Sequence, residues 1–147
     1  MTDAESALNL KSDESDVAAF LEERGGKLIP DESDNGMYWL LLRPSSDQSQ
    51  EYVACVRWDR YPQRPPSIKF ADAIKGSLAN ARAWPSIPGY RPGSFDICMP
   101  FTAEGFALHA EWNSGPQSWR TSGNPFLWVA SRLQDDLNSV RYSGRVA

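Results

Sequence analysis

No stretch of this chain is apolar for the roughly 18 residues that a membrane-spanning helix needs, so no span and no membrane partner is expected. Metal chemistry is short of ligands as well. One histidine, two cysteines and no C-x-x-C pair leave no visible zinc site, and nothing in the sequence points to a cofactor. Two cysteines are too few for a disulfide framework. The acidic start, Met1-Thr2-Asp3-Ala4-Glu5, lacks the basic and apolar parts of a secretory leader. A cytoplasmic setting is the expectation. The net charge of −4 offers no basic excess to meet a phosphate backbone, so nucleic acid is not an expected partner. There are no repeats and no low-complexity tracts in the 147 residues, a length that suits one domain able to bury a core. What the chain does have is tryptophan and proline, six and eleven of them, which suggests structured loops on a compact body.

The pattern along the chain predicts an α+β domain over residues 13–140, with a flexible N-terminal tail at 1–12 and a frayed C-terminal tail at 141–147. Ser15-Asp16 offers helix-start chemistry. Val17, Ala18, Phe20 and Leu21 supply an apolar face, and Gly25-Gly26 ends the helix. A strand begins at Lys27, and Asp34-Asn35-Gly36 marks a hairpin turn. Met37 to Arg43 reads as a second strand. Glu51 to Trp58 alternates, with Tyr52, Ala54, Val56 and Trp58 on one face and Val53, Cys55 and Arg57 on the other. A proline turn, Asp59 to Pro66, leads into a fourth short strand, completing a four-stranded antiparallel meander. Ala71, Ile74, Leu78 and Ala81 recur at helical spacing, which suggests a short helix that Gly76 weakens. Trp84 to Gly93 is a Pro- and Gly-punctuated loop. Asn124-Pro125 starts a last helix with the apolar stripe Phe126, Ala130, Leu133 and Leu137.

Two short stretches carry the chemical information. Tyr61-Pro62-Gln63-Arg64-Pro65-Pro66-Ser67-Ile68-Lys69-Phe70 is a proline-punctuated turn entering a strand, and Ile97-Cys98-Met99 places one cysteine just after a loop. In this order they resemble the core of the ubiquitin-conjugating enzymes, where a Y-P-x-x-P-P-x-[IV]-x-F strand precedes an [IV]-C-[LM] element. The likeness spans about residues 15 to 139, and is greatest to small bacterial members that work beside a ubiquitin-like protein, some in defence against phage. It implies a UBC-like fold with an N-terminal helix, the meander, a cysteine-bearing loop and a C-terminal helix. It also implies that Cys98 carries a ubiquitin-like modifier as a thioester. The implied partners are the modifier, an adenylating activating enzyme docked on the first helix around Asp16, Glu22, Glu23 and Arg24, and a protein target.

The chain also departs from that family. The His-Pro-Asn motif is absent, and Trp84-Pro85-Ser86 has only a similar flavour. The segment from Phe70 to Cys98 is longer than usual. Gln63 stands where the ligase-binding loop often carries Phe, so a RING-type ligase is not expected. The C-terminus is shortened, without the two further helices of many members.

Thioester exchange needs an accessible thiolate and no strong local base, because the incoming acyl group is already activated. Cys98 meets that need without a neighbouring histidine. The alternative is that Cys98 is a small buried hydrophobe and the domain a non-catalytic binding module. Cys55, mid-strand, reads as core. Arg91 would favour the Cys98 thiolate and Asp96 would oppose it. Tyr90 and Arg91 are the nearest candidate donors to a developing oxyanion, with Asn80 in reach only if the inserted segment folds back. His109 is the only imidazole. It is a candidate to ease deprotonation of an attacking amine, in competition with Glu104 and Glu111, or a loop residue.

Overall fold

Asp3 starts the first helix. Its carboxylate accepts from the Ser6 amide at 2.8 Å, an N-cap that satisfies one of the free donors of the first turn, and α1 runs Ala4–Glu22. The computed structural model describes residues 2–147. The stretch expected as a flexible tail is thus the first part of α1, and Ser15-Asp16 lies in mid-helix; Met1 lies outside the described residues. The stripe that α1 buries explains why its N-terminal half is hard to read. Ser6, Leu10, Val17 and Leu21 face inward. Between them Asp13 accepts from the Tyr61 hydroxyl, and Glu14 accepts from the Tyr38 hydroxyl at 2.6 Å. A helix whose inward face is part carboxylate has little apolar periodicity, although Ser6, Asp13 and Glu14 are each hydrogen-bonded.

The meander is as expected. β1 (Lys27–Pro30), β2 (Met37–Leu42), β3 (Tyr52–Arg57) and β4 (Ser67–Ala71) pair antiparallel in sequence order. Alternation sorts the side chains onto two faces. Tyr38, Leu40, Leu42, Tyr52, Ala54, Val56, Ile68 and Phe70 enter the main core with α1 and the last helix. Trp39, Val53, Cys55 and Ala71 form a smaller cluster on the other face, with Leu78 leaning on it. The last helix, α3 (Pro125–Asn138), starts where Asn124 accepts from the Leu127 amide at 2.8 Å. Phe126, Ala130, Leu133 and Leu137 of its stripe are all buried. A fully buried side chain of the size of Phe126 contributes about 1.5–3 kcal/mol through the apolar area it removes from water.

Two more expectations fail. Residues 72–80 form no helix; the Asp72 carboxylate accepts from the Ser77 amide at 2.9 Å and closes a turn instead. Any Cβ on Gly76 would lie 2.2 Å from that carboxylate, so the glycine belongs to the turn. The C-terminal tail is also not frayed. The Ser143 amide donates to the Ser86 carbonyl at 3.0 Å and the Val146 amide to the Trp84 carbonyl at 3.0 Å, and the Tyr142 and Tyr52 hydroxyls share a bond of 2.7 Å.

Candidate functional site

The Pro/Gly-rich loop leads from a buried anchor to a small hairpin. Trp84 is fully buried against Phe70, with ring centroids 5.3 Å apart. The chain turns at Gly89, whose φ of +92° lies in the left-handed region. Strand β5 (Tyr90–Arg91) then pairs with β6 (Asp96–Ile97), and Cys98 follows directly. This hairpin, hidden in a segment that reads as loop, sets the position of the cysteine. The Cys98 amide donates to the Gly89 carbonyl at 2.8 Å. A Cβ on Gly89 would meet the Met99 sulfur at 2.8 Å, so a side chain there would push against the residue next to the cysteine.

On its other side the cysteine is held by a short helix, α2 (Ala103–Leu108). Thr102 caps it by accepting from the Gly105 amide at 3.0 Å, and the same hydroxyl donates to the Ile97 carbonyl. A Cβ on Gly105 would lie 2.2 Å from the Met99 carbonyl oxygen, so α2 seats directly on the residue after Cys98. The proline motif supports the same element. The Pro66 carbonyl accepts from the Ala103 amide at 2.8 Å, Lys69 Nζ donates to the Phe95 carbonyl, and β6 packs on β4. The two stretches that stand out in the sequence are therefore in physical contact. The start of the motif is tied elsewhere: Tyr61 reaches Asp13 of α1 and accepts from the Phe126 amide at 3.2 Å, and the Pro62 carbonyl accepts from Trp119 Nε1 at 2.8 Å.

Cys98 is half-buried, whereas Cys55 is buried and burial pushes its thiol up to about 11. Arg91 donates two hydrogen bonds of 2.7 Å to the two oxygens of Asp96, and this partner raises the arginine further. The two charges expected to act in opposite directions on Cys98 thus neutralise each other in one bidentate pair. Tyr90 is not placed as an oxyanion donor. Its hydroxyl is buried and donates to Asp136 Oδ2 at 2.7 Å, and burial with that carboxylate raises it well above the usual phenol range. Burial pushes the Asp136 carboxyl up, against the pull of Tyr90, Arg132 and Arg141. This pairing braces the cysteine hairpin on α3.

Asn80 is turned elsewhere as well: its Oδ1 caps the 3-10 turn Ala81–Ala83 by accepting from the Arg82 amide at 3.0 Å, and its Nδ2 donates to Asp72 Oδ2 at 3.5 Å. In Trp84-Pro85-Ser86, Ser86 is bonded through its backbone to the C-terminal tail. His109 ends α2, and its neighbours are Glu111, 3.0 Å from Nδ1, and Trp112, on which its ring stacks at 4.3 Å. Glu111 is exposed. Glu104 accepts from the Ser67 hydroxyl at 2.6 Å while its other oxygen is buried with no partner. Of the residues named from sequence, Arg91 and its partner Asp96 share the cysteine's surroundings. Those missed are Thr102, Gly89, Gly105 and Asp136. Thr102 ahead of Ala103-Glu104-Gly105 carries an N-cap signal that would have found α2.

Among the described residues no three His, Cys, Asp or Glu side chains are grouped as metal ligands, and no helix is long and apolar enough to cross a membrane. The class this defines is an α+β domain with a helix on either end of an antiparallel meander and one half-open thiol at a hairpin exit. Comparison with protein-family models, with curated proteins and with solved structures finds no match for the chain.

Proposed function

We propose that this is a UBC-like, cytoplasmic conjugating enzyme for a ubiquitin-like protein, of the type found in bacterial antiphage defence, with Cys98 as its covalent catalyst. The observation that carries the reading is a half-open Cys98 held by the same proline motif that precedes the cysteine in the family. The Cys98 thiolate attacks the thioester carbonyl of the modifier on an adenylating activating enzyme. The carbon–sulfur bond to that enzyme breaks, its thiolate leaves, and a new thioester forms on Cys98. An amine of the protein target then attacks the same carbonyl, the amide forms, Cys98 leaves as thiolate, and the amine proton goes to solvent. A half-open thiol with no base in contact suits this exchange, in which the acyl group arrives activated, better than hydrolysis of an amide. No further catalytic side chain is assigned; oxyanion stabilisation falls to backbone N–H groups, since the Tyr90 hydroxyl donates to Asp136 and the Asn80 Nδ2 to Asp72.

The activating enzyme would dock on α1. Glu22 and the capping Glu23 are exposed at its C-terminal end, and Leu8, 72% exposed, overhangs an open groove of about 600 Å³ rimmed by Glu14 and Asp31. The test is incubation with activating enzyme, modifier and ATP. A thiol-sensitive adduct forms on wild type and not on Cys98→Ala. An adduct that survives in Cys98→Ala and disappears in Cys55→Ala would overturn the assignment. The second reading is a non-catalytic binding module of the same pathway type, favoured by the engagement of Tyr90 with Asp136. It predicts a wild-type Cys98 that takes no adduct at all.

A further inference from the structure

Met99 and Pro100, the two residues after Cys98, line a cavity of about 280 Å³ that the hairpin chemistry does not use. The other walls come from the 116–120 segment and from α3. Arg120 and Arg132 both line it, together with Gln117 and Trp128, and none of its lining residues is acidic. Arg120 has no hydrogen-bond or ion-pair partner among the described residues. Arg132 meets Asp135 and Asp136 only at 3.8 and 3.9 Å, beyond hydrogen-bond reach, so its planar fork of donors is also largely unspent. Trp128 is fixed edge-on against Phe101 and Trp119, with centroids 6.4 and 5.9 Å apart, and gives the cavity a rigid aromatic wall. Two guanidiniums beside an indole, with no acid to neutralise them inside the cavity, suit a carboxylate whose methylenes pack on the ring. The volume fits one acidic side chain with its first waters and no folded partner.

We propose that this cavity is a carboxylate-binding subsite that takes an aspartate or glutamate side chain of the acceptor protein, next to the amine that attacks at Cys98. The acceptor's role rests on the thioester reading; the carboxylate site does not. The probe is the blocked peptide Ac-Gly-Glu-Lys-Glu-Gly-NH2, titrated into the full ¹⁵N-labelled chain beside the same peptide with Gln in place of Glu. Amide shifts at 99, 101 and 117–120 are expected with the Glu peptide and not with the Gln peptide. Arg120→Ala should weaken that binding about tenfold, and Arg132→Gln by a similar factor, as loss of a charge-assisted hydrogen bond does. Arg57→Ala, on β3, should leave it unchanged. Equal shifts from both peptides, shifts that persist in the double arginine variant, or full competition by millimolar inorganic phosphate would each overturn the subsite. A flat titration beside a normal Cys98 adduct removes the subsite alone. Specific peptide binding without any adduct keeps the carboxylate site and removes the acceptor's role.

Discussion

Cys55 and Cys98 are one side chain in two surroundings. Cys55 sits in the middle of a four-stranded sheet, directly between Trp39 and Lys69 in register, and is 4% exposed. Cys98 follows a two-residue strand, with one ladder partner behind it and a short helix in front. In the sheet every neighbour is fixed by alternation, and the thiol is desolvated as a consequence. At the hairpin exit a left-handed glycine, a threonine cap and an ion pair hold the backbone while the side chain stays partly open. The difference in exposure follows from how the backbone is held, not from the residue type.

The largest separation lies in charging. Cys98→Ala should abolish the thiol-sensitive adduct completely, and Cys55→Ala should retain it. Stability should divide the other way. Cys55 is packed among Trp39, Val53 and Ala71, and Cys55→Ala should cost about 1–2 kcal/mol in chemical denaturation, since it empties a packed site. Cys98→Ala should cost less, within about 1 kcal/mol, since a half-buried side chain leaves a smaller gap. Equal stability losses in the two variants would mean that Cys98 is a core residue after all.

Labelling kinetics on the unmodified chain provide the second test. A thiol pushed up to about 11 is about one part in 10⁴ thiolate at pH 7. Cys55 should therefore react with a maleimide at least a hundredfold more slowly than Cys98. The same shift has a sign for stability. The thiolate of Cys55 is tolerated less in the folded than in the unfolded chain, so its contribution is fully present below about pH 8.5 and fades as pH rises toward 11, by about 2–3 kcal/mol. Wild type should lose that much more than Cys55→Ala over this window in denaturation followed by fluorescence. An identical decline would show that Cys55 is solvated.

The brace behind the hairpin should give a smaller effect. Tyr90→Phe leaves the buried Asp136 without its shortest partner, with Arg141 at 3.5 Å and Arg132 at 3.9 Å remaining, and should cost about 1–3 kcal/mol. Charging of Cys98 should still occur at temperatures where the variant is folded. A chemical defect without loss of stability would return Tyr90 to the reacting centre.

The sheet was legible and the site only half so, for one physical reason. β1 to β4 declare themselves by alternation and by Asp34-Asn35-Gly36, and α3 by Asn124-Pro125 and its stripe, because tertiary packing there agrees with local pattern. α1 was cut short because Asp13 and Glu14 face inward to tyrosines that no local window contains. The β5–β6 hairpin was missed because two-residue strands have no period. Tyr90 was a candidate by nearness in sequence and Asn80 only if the inserted segment folds back, but Asp136 for the one, and the Arg82 amide and Asp72 for the other, decide their roles, and Asp136 lies 46 positions from Tyr90. Cys98 was singled out through motif order, and the contact of Pro66 with α2 is a relation that order alone does not contain.

The smallest expected effect concerns the Arg91–Asp96 pair. Both residues flank Cys98 on a hairpin that stays folded through its backbone ladder, so their charges can be varied with little change in position. Arg91→Ala exposes the thiol to the Asp96 carboxylate, disfavours the thiolate and should slow maleimide labelling of Cys98 about three- to tenfold. Asp96→Asn leaves the guanidinium uncompensated and should speed it by a similar factor. The double variant should return close to wild type, because two opposite charges held 2.7 Å apart cancel over the distance to the sulfur. All three differences should shrink in 0.5 M salt, since Arg91 is 41% exposed and screened. At Cys55 neither substitution should change the labelling rate, because burial rather than nearby charge is the main cause of its inertness. Parallel changes at both thiols would mean that the hairpin loosens when the pair is broken, and that Arg91 and Asp96 hold the fold rather than set the charge beside Cys98.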